Sequence, residues 1–182
     1  PEVAAYWEQV VKMNDYQKHR FARKIITSLF NTVSGKKIAI LGWAFKKDTN
    51  DSRESAAIYV VDELLQDRAQ VHVYDPKIKK DQMISDLLYL QDNRLGAYTE
   101  SGAVFTREVL EQAIVVHTDP YTAMEQAHAI AVLTEWDEFK TFNWEAIYQN
   151  MLKPAFLFDG RDLLPQEKLE SIGFKSFTIG KG

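Results

Sequence analysis

Four short segments carry residue types suited to holding a charged or polar ligand. Gly42-Trp43-Ala44-Phe45-Lys46-Lys47-Asp48-Thr49-Asn50-Asp51-Ser52-Arg53-Glu54 gathers Lys46, Lys47 and Arg53, cations matched to phosphate oxygens. Gly42 is the only glycine in it, so the G-x-G-x-x-G grip on a dinucleotide is not available and something else must hold the ligand. Asp51 with Glu54 three residues on fits an N-cap and its reciprocal partner. That spacing predicts a helix from about Ser52, whose N-terminus is itself an anion site beside the cations. The same residues equally suit a solvated loop with ordinary capping. Tyr74-Asp75-Pro76-Lys77 offers an acid for ribose hydroxyls or, as the favoured reading, a structural Asp-Pro turn. Thr134-Glu135-Trp136 offers a threonine facing a cleft, with Glu135 or Trp136 merely opening the next helix. Phe158-Asp159-Gly160-Arg161 puts a glycine where backbone can approach a ligand, then a planar donor fork suited to phosphate or a pyrimidine edge. A surface arginine beside a tight turn is the alternative.

Other chemistries lack support. The 182 residues contain no cysteine, which removes disulfides, thiolate zinc sites, iron–sulfur clusters and a cysteine nucleophile. His19, His72, His117 and His128 show no i, i+4 pair on a helix, so no metal site is expected. No G-x-S-x-G elbow occurs for a hydrolase. The 22 bases and 26 acids leave a net charge of −4, without the basic field that nucleic-acid affinity requires. No apolar run approaches about 18 residues, and Pro1-Glu2-Val3 does not begin a signal peptide, so neither nucleic acid nor membrane is an expected partner and the expected location is cytoplasmic.

The elements that must position these segments follow from periodicity. From Glu2 to about Phe30 there is neither glycine nor proline, and Val3, Trp7, Val10, Phe21, Ile25 and Leu29 recur at helical spacing. One helix of that length is about 45 Å long, so part of its apolar side must meet something outside a compact domain. Two helices broken near Asn14-Asp15 are the alternative. After Ser34-Gly35 short apolar runs alternate with helical stretches. Strands are expected at Lys37–Leu41, Gln70–Tyr74, Ile114–His117, Ala129–Leu133, Ala155–Phe158 and Phe174–Ile179. Helices are expected at Ile58–Leu65, Asp81–Leu90, Arg107–Gln112, Pro120–Gln126, Trp144–Met151 and Gln166–Ile172, with a polar excursion from Gln91 to Ser101. Such alternation requires a parallel sheet covered on both faces: a doubly wound, Rossmann-like α/β fold preceded by a long N-terminal helix. Ligands then bind beyond the carboxyl ends of the strands, where all four segments fall.

Taken in order, Asn14-Asp15-Tyr16-Gln17, Lys37 through Thr49, Asp51-Ser52-Arg53-Glu54-Ser55, Tyr74-Asp75-Pro76-Lys77, Thr134-Glu135-Trp136 and Phe158-Asp159-Gly160-Arg161 closely resemble the C-terminal part of the UDP-glucose 6-dehydrogenase family. The resemblance implies oxidation of UDP-glucose to UDP-glucuronate with two NAD+, by an enzyme whose N-terminal domain binds NAD and whose central helix builds a homodimer. It implies that Phe45 and Lys46 contact the UDP-sugar, that Arg161 helps hold it, and that Arg53 reaches toward NAD. Residues 1–34 would be part of the central helix and 35–182 the UDP-sugar-binding domain. The family's NAD-binding domain and nucleophilic cysteine have no counterpart here, so the chain looks like a fragment that binds the nucleotide sugar without turning it over and has no catalytic residue. The runners-up are the equivalent domain of a UDP-N-acetylmannosamine or GDP-mannose dehydrogenase and a non-catalytic dimerisation or binding module.

Overall fold

The computed structural model of the chain describes residues 2–93 and 102–181. A stretch free of glycine and proline becomes one helix, α1 (Glu2–Ser28), continuous through Asn14-Asp15. It stops where Phe30 and Asn31 adopt left-handed backbone angles. There the Lys36 ammonium donates to the carbonyls of Leu29 (2.6 Å) and Thr32 (2.7 Å), supplying donors and positive charge where a helix end needs both. The second half of α1 packs on the domain: Ala22 and Ile25 are buried, as is Leu29 just past its end. The first half leaves Val3, Tyr6, Trp7, Val11, Met13 and Tyr16 exposed, as expected of a helix too long for its domain.

The remainder alternates strand and helix. The strands are β1 (Lys37–Leu41), β2 (Gln70–Tyr74), β3 (Ile114–Val116), β4 (Ala129–Val132), β5 (Phe156–Asp159) and β6 (Lys175–Thr178). The helices are α2 (Ala56–Gln66), α3 (Lys80–Asp92), α4 (Arg107–Ala113), α5 (Pro120–Met124), α6 (Trp144–Asn150) and α7 (Gln166–Ile172), with a 3-10 turn at Asp137–Thr141 after β4. All neighbouring strands pair in parallel, in the order β3-β2-β1-β4-β5-β6, which is the expected doubly wound α/β sheet. The central strands β4 and β5 are buried at every residue, because helices cover both faces and leave no side for polar alternation. The strand order reverses between β1 and β4, the switch point beside which ligands bind in an open α/β sheet, in the crevice outside the carboxyl ends of the strands.

Two expectations need correction. Helix α2 does not start at Ser52 with Asp51 as its cap. It starts at Ala56, capped by Ser55, whose hydroxyl accepts from the Ala57 N–H (3.3 Å). The Asp51 carboxylate is already occupied by the Arg53 backbone N–H and guanidinium, and Glu54 sits at φ +61°, which interrupts any helix running through it. The polar excursion also begins later than Gln91: Gln91 and Asp92 finish α3, and residues 94–101 lie outside the described residues. No helix among the described residues is long and apolar enough to cross a membrane.

Candidate functional site

The loop after β1 is built around a single buried carboxylate. Asp75, just past the end of β2, accepts five hydrogen bonds. The N–H groups of Trp43 (2.7 Å) and Ala44 (3.0 Å) and the Trp136 indole (3.2 Å) meet Oδ2, and the N–H groups of Lys77 (2.8 Å) and Ile78 (2.9 Å) meet Oδ1. These tie together the segments after β1, β2 and β4, and leave Asp75 only 8% exposed. Its role is structural, the favoured reading of Asp75-Pro76. Gly42 makes the approach possible: its φ is +93°, and a Cβ there would lie 2.4 Å from the Cβ of Thr134. Only glycine meets both demands. Thr134 does not face an open cleft, which corrects the sequence reading. It is fully buried, and its hydroxyl donates to the Ala44 carbonyl (2.6 Å), because the tight crossing at Gly42 pulls the two loops together.

With Trp43 and Ala44 pinned, the next residue turns outward. The Phe45 N–H donates to the Asp51 carbonyl (2.8 Å), closing the loop, and its ring is 49% exposed. Asp51 in turn receives both edges of Arg53, whose guanidinium holds the carboxyl down to about 2. Lys47 reaches Asp137 (2.7 Å), tying the loop's exposed rim to the segment after β4.

The crevice is walled on one side by α1. A groove of ≈ 460 Å³ runs between Asn14, Asp15, Gln17, Lys18 and Phe21 of the helix and Phe45, Leu133 and Arg161 from the loops after β1, β4 and β5. Gly160 lets the helix come this close, since a Cβ there would sit 3.3 Å from the Phe21 ring and 3.1 Å from the Val132 carbonyl oxygen. Phe21 itself packs edge-on against Phe158 (6.5 Å between centroids). The backbone of Arg161 is held by Asp159, which is fully buried and accepts from the N–H groups of Arg161 (2.9 Å), Leu163 (2.8 Å) and Leu164 (2.8 Å). The Arg161 guanidinium forms an ion pair with Glu135. Across the groove Lys18 meets Asp15 (3.5 Å) and Glu54 (3.8 Å) and lies over the Tyr59 ring (3.8 Å to its centroid). The Tyr59 hydroxyl donates to Glu54 (3.1 Å), and its pKa is raised, first by burial and then by the charge of Glu54.

Of the four residues singled out from sequence, the structure brings Phe45 and Arg161 to the groove. Lys46 is exposed on the same loop, and Arg53 stands in solvent with its side chain 88% exposed. Sequence reasoning missed the helix's share of the wall. The signal was the polar run Asn14-Asp15 with Gln17-Lys18 interrupting an otherwise apolar helix stripe. Glu135 as the partner of Arg161 carried no signal, because the two are 26 residues apart in sequence. Among the described residues no group of three or more His, Cys, Asp or Glu side chains gathers as a metal site.

A parallel α/β sheet with a polar and aromatic groove at its topological switch point defines a Rossmann-like ligand-binding domain. Solved structures share that fold. A UDP-D-ManNAc dehydrogenase from Pyrococcus horikoshii matches with a TM-score of 0.62 and 24% identity over 92% of this chain and 31% of its own. A UDP-glucose dehydrogenase from Pyrobaculum islandicum matches with a TM-score of 0.61 and 21% identity, over 92% and 32%. Residues 39–166 match the model of the UDP-glucose/GDP-mannose dehydrogenase family, UDP binding domain, and the chain belongs to that family. Over its whole length it is 52% identical to a UDP-glucose 6-dehydrogenase of Drosophila melanogaster and 48% identical to that of Rattus norvegicus. It spans 36% and 35% of the length of these relatives.

Proposed function

We propose that the chain is the nucleotide-sugar-binding part of a UDP-glucose 6-dehydrogenase, an NAD-dependent enzyme that oxidises UDP-glucose to UDP-glucuronate with two NAD+. The observation that carries this reading is the groove itself, in which Phe45 and Arg161 face α1 within a chain about half identical, end to end, to enzymes of that name. Phe45 offers an exposed aromatic face for stacking, Arg161 a donor fork for carbonyl or phosphate oxygens, and Lys46 a flexible cation on the adjoining loop. Residues 35–182 form the substrate-binding domain and residues 1–34 the helix through which two copies pair, with the exposed Val3, Tyr6 and Trp7 as its contact face.

The residues present do not by themselves build a site for NAD. Gly42, the one glycine after β1, is filled by Thr134 rather than open to a pyrophosphate. Arg53 is the residue assigned to reach NAD held elsewhere in the whole enzyme, and no step of the oxidation falls to this chain's side chains. Calorimetric titration tests the reading. UDP and UDP-glucose should bind the chain, GDP-mannose should bind more weakly, and no NADH should form. A charge-assisted hydrogen bond contributes about 1.5–3 kcal/mol, so Lys46→Ala or Arg161→Ala should weaken UDP about ten- to a hundredfold. Wild-type affinity in both variants would sink the assignment, and preference for GDP-mannose would move the chain to the GDP-mannose branch.

A further inference from the structure

Arg161 lines the groove, and Glu135, its ion-pair partner, does not. Both ends of this pair are anchored. Glu135 stands between Thr134 and Trp136, buried residues whose side chains are bonded to the Ala44 carbonyl and the Asp75 carboxylate. Arg161 is fixed at its backbone by Asp159. The pair is partly desolvated, with side chains 34% (Arg161) and 27% (Glu135) exposed, and the Glu135 oxygen that meets the guanidinium is itself shielded from water. A surface arginine beside a turn has none of these features.

We infer that Glu135 is a positioning residue that holds the Arg161 guanidinium facing the groove, so that a ligand meets an ordered donor fork. This rests on the proposed UDP-sugar site. An arginine side chain loses rotamer freedom when a ligand fixes it. Glu135 has already imposed that loss on folding, from a backbone position held between the bonded side chains of Thr134 and Trp136. The pair also offsets the arginine's charge, as Asp15 and Glu54 offset Lys18 across the groove, so the site selects by direction of hydrogen bonding more than by net charge. Removing Glu135 leaves a full cation, but one released into an open, hydrated groove where its field is screened. Loss of orientation therefore outweighs gain of charge. Ordering one long side chain at binding corresponds to roughly a three- to tenfold change in affinity.

The test is a calorimetric titration of UDP into the 182-residue chain, as wild type, Glu135→Ala, Glu135→Gln, Arg161→Ala and the Glu135→Ala/Arg161→Ala double variant. Glu135→Ala should weaken UDP roughly three- to tenfold. Glu135→Gln, which keeps an acceptor on the same stem, should recover part of the loss. In the Arg161→Ala background Glu135→Ala should change nothing further. An equal loss in both backgrounds would mean a structural role and overturn the inference. Wild-type affinity in Glu135→Ala with a weakened Arg161→Ala would overturn it while leaving the site reading intact. Wild-type affinity in Arg161→Ala, or no UDP affinity in the wild type, would overturn the site reading and the positioning role with it. A ligand-free readout stands beside these. The NMR signals of the Arg161 guanidinium, whose Nη2 is the nitrogen that meets Glu135, are identified by their loss in Arg161→Ala, and the Nη signal should move to the position of water-exposed arginines in Glu135→Ala. A signal that stays in place defeats the inference whatever the affinities.

Discussion

Replacing Asp75 by asparagine changes almost no volume but removes one acceptor and adds a donor at the junction of three loops. Oδ2 accepts from Trp43, Ala44 and the Trp136 indole, and Oδ1 from Lys77 and Ile78. An asparagine has one carbonyl oxygen and one amide nitrogen. Its least costly orientation keeps the oxygen on the group of three, leaving the N–H groups of Lys77 and Ile78 facing another donor. Each buried donor left unmet costs about 1–3 kcal/mol. Because Lys77 is exposed and can recruit water, the sum should fall in the lower part of the range, about 2–4 kcal/mol. A domain with about 5–15 kcal/mol of stability survives that loss, so the variant should fold and its deficit be measurable. Urea unfolding followed by tryptophan fluorescence, compared at a common slope, reads it directly. A loss under about 1 kcal/mol would refute the reasoning, since it would mean that water or loop adjustment satisfies those donors and that the carboxylate does not organise the crevice.

Gly42→Ala should lower the melting temperature by at least about 5 °C, because it combines a left-handed backbone with a 2.4 Å approach to Thr134. Gly35→Ala shares the positive φ (+69°) but meets nothing within 4 Å, so it should cost less, and equal drops in a thermal melt would refute the packing argument. The His72 and His117 rings stack with nitrogens 2.8 Å apart. Burial, then Lys37 and His117, push His72 down to about 4 from an ordinary 6.5, and burial also lowers His117. The folded state therefore binds fewer protons than the unfolded chain between these values. The stability from this pair is full above pH 6.5 and is lost as pH falls toward about 4. Urea midpoints over that window should decline in the wild type and decline less in His72→Phe; parallel slopes would remove the pair as their cause.

The fold was largely legible in the sequence, and the reasons are local. Continuous apolar runs such as Ala129–Val132 can be satisfied only by a strand buried on both faces, and a stretch without glycine or proline has little to stop it being α1. Element ends were less legible because capping groups compete. Asp51 and Ser55 are both good caps, and the occupation of Asp51 by Arg53 together with the left-handed backbone of Glu54 decides for Ser55. The site was legible in part for a similar reason. Residues just past strand ends can be placed near the crevice by topology alone, which pointed to Arg161 and to the loop after β1, while Phe45 itself was singled out only by the family resemblance. Whether a side chain there turns into the groove, as Phe45 does, or out of it, as Arg53 does, depends on hydrogen bonds between loops distant in sequence.

By itself, the sequence determined the parallel α/β class, the oversized first helix, the location of the candidate ligand loops at strand ends, and that none of these 182 residues is a cysteine. Each follows from periodicity, chain punctuation or residue type, properties that neighbours along the chain are enough to set. Tertiary structure alone decided that α1 forms a wall of the groove, that Gly160 is small so that Phe21 can close upon it, that Thr134 is buried beneath Gly42, and that Glu135 meets Arg161. Those contacts join segments brought together only when the sheet assembles, and their geometry depends on packing at distances where a single methyl group does not fit.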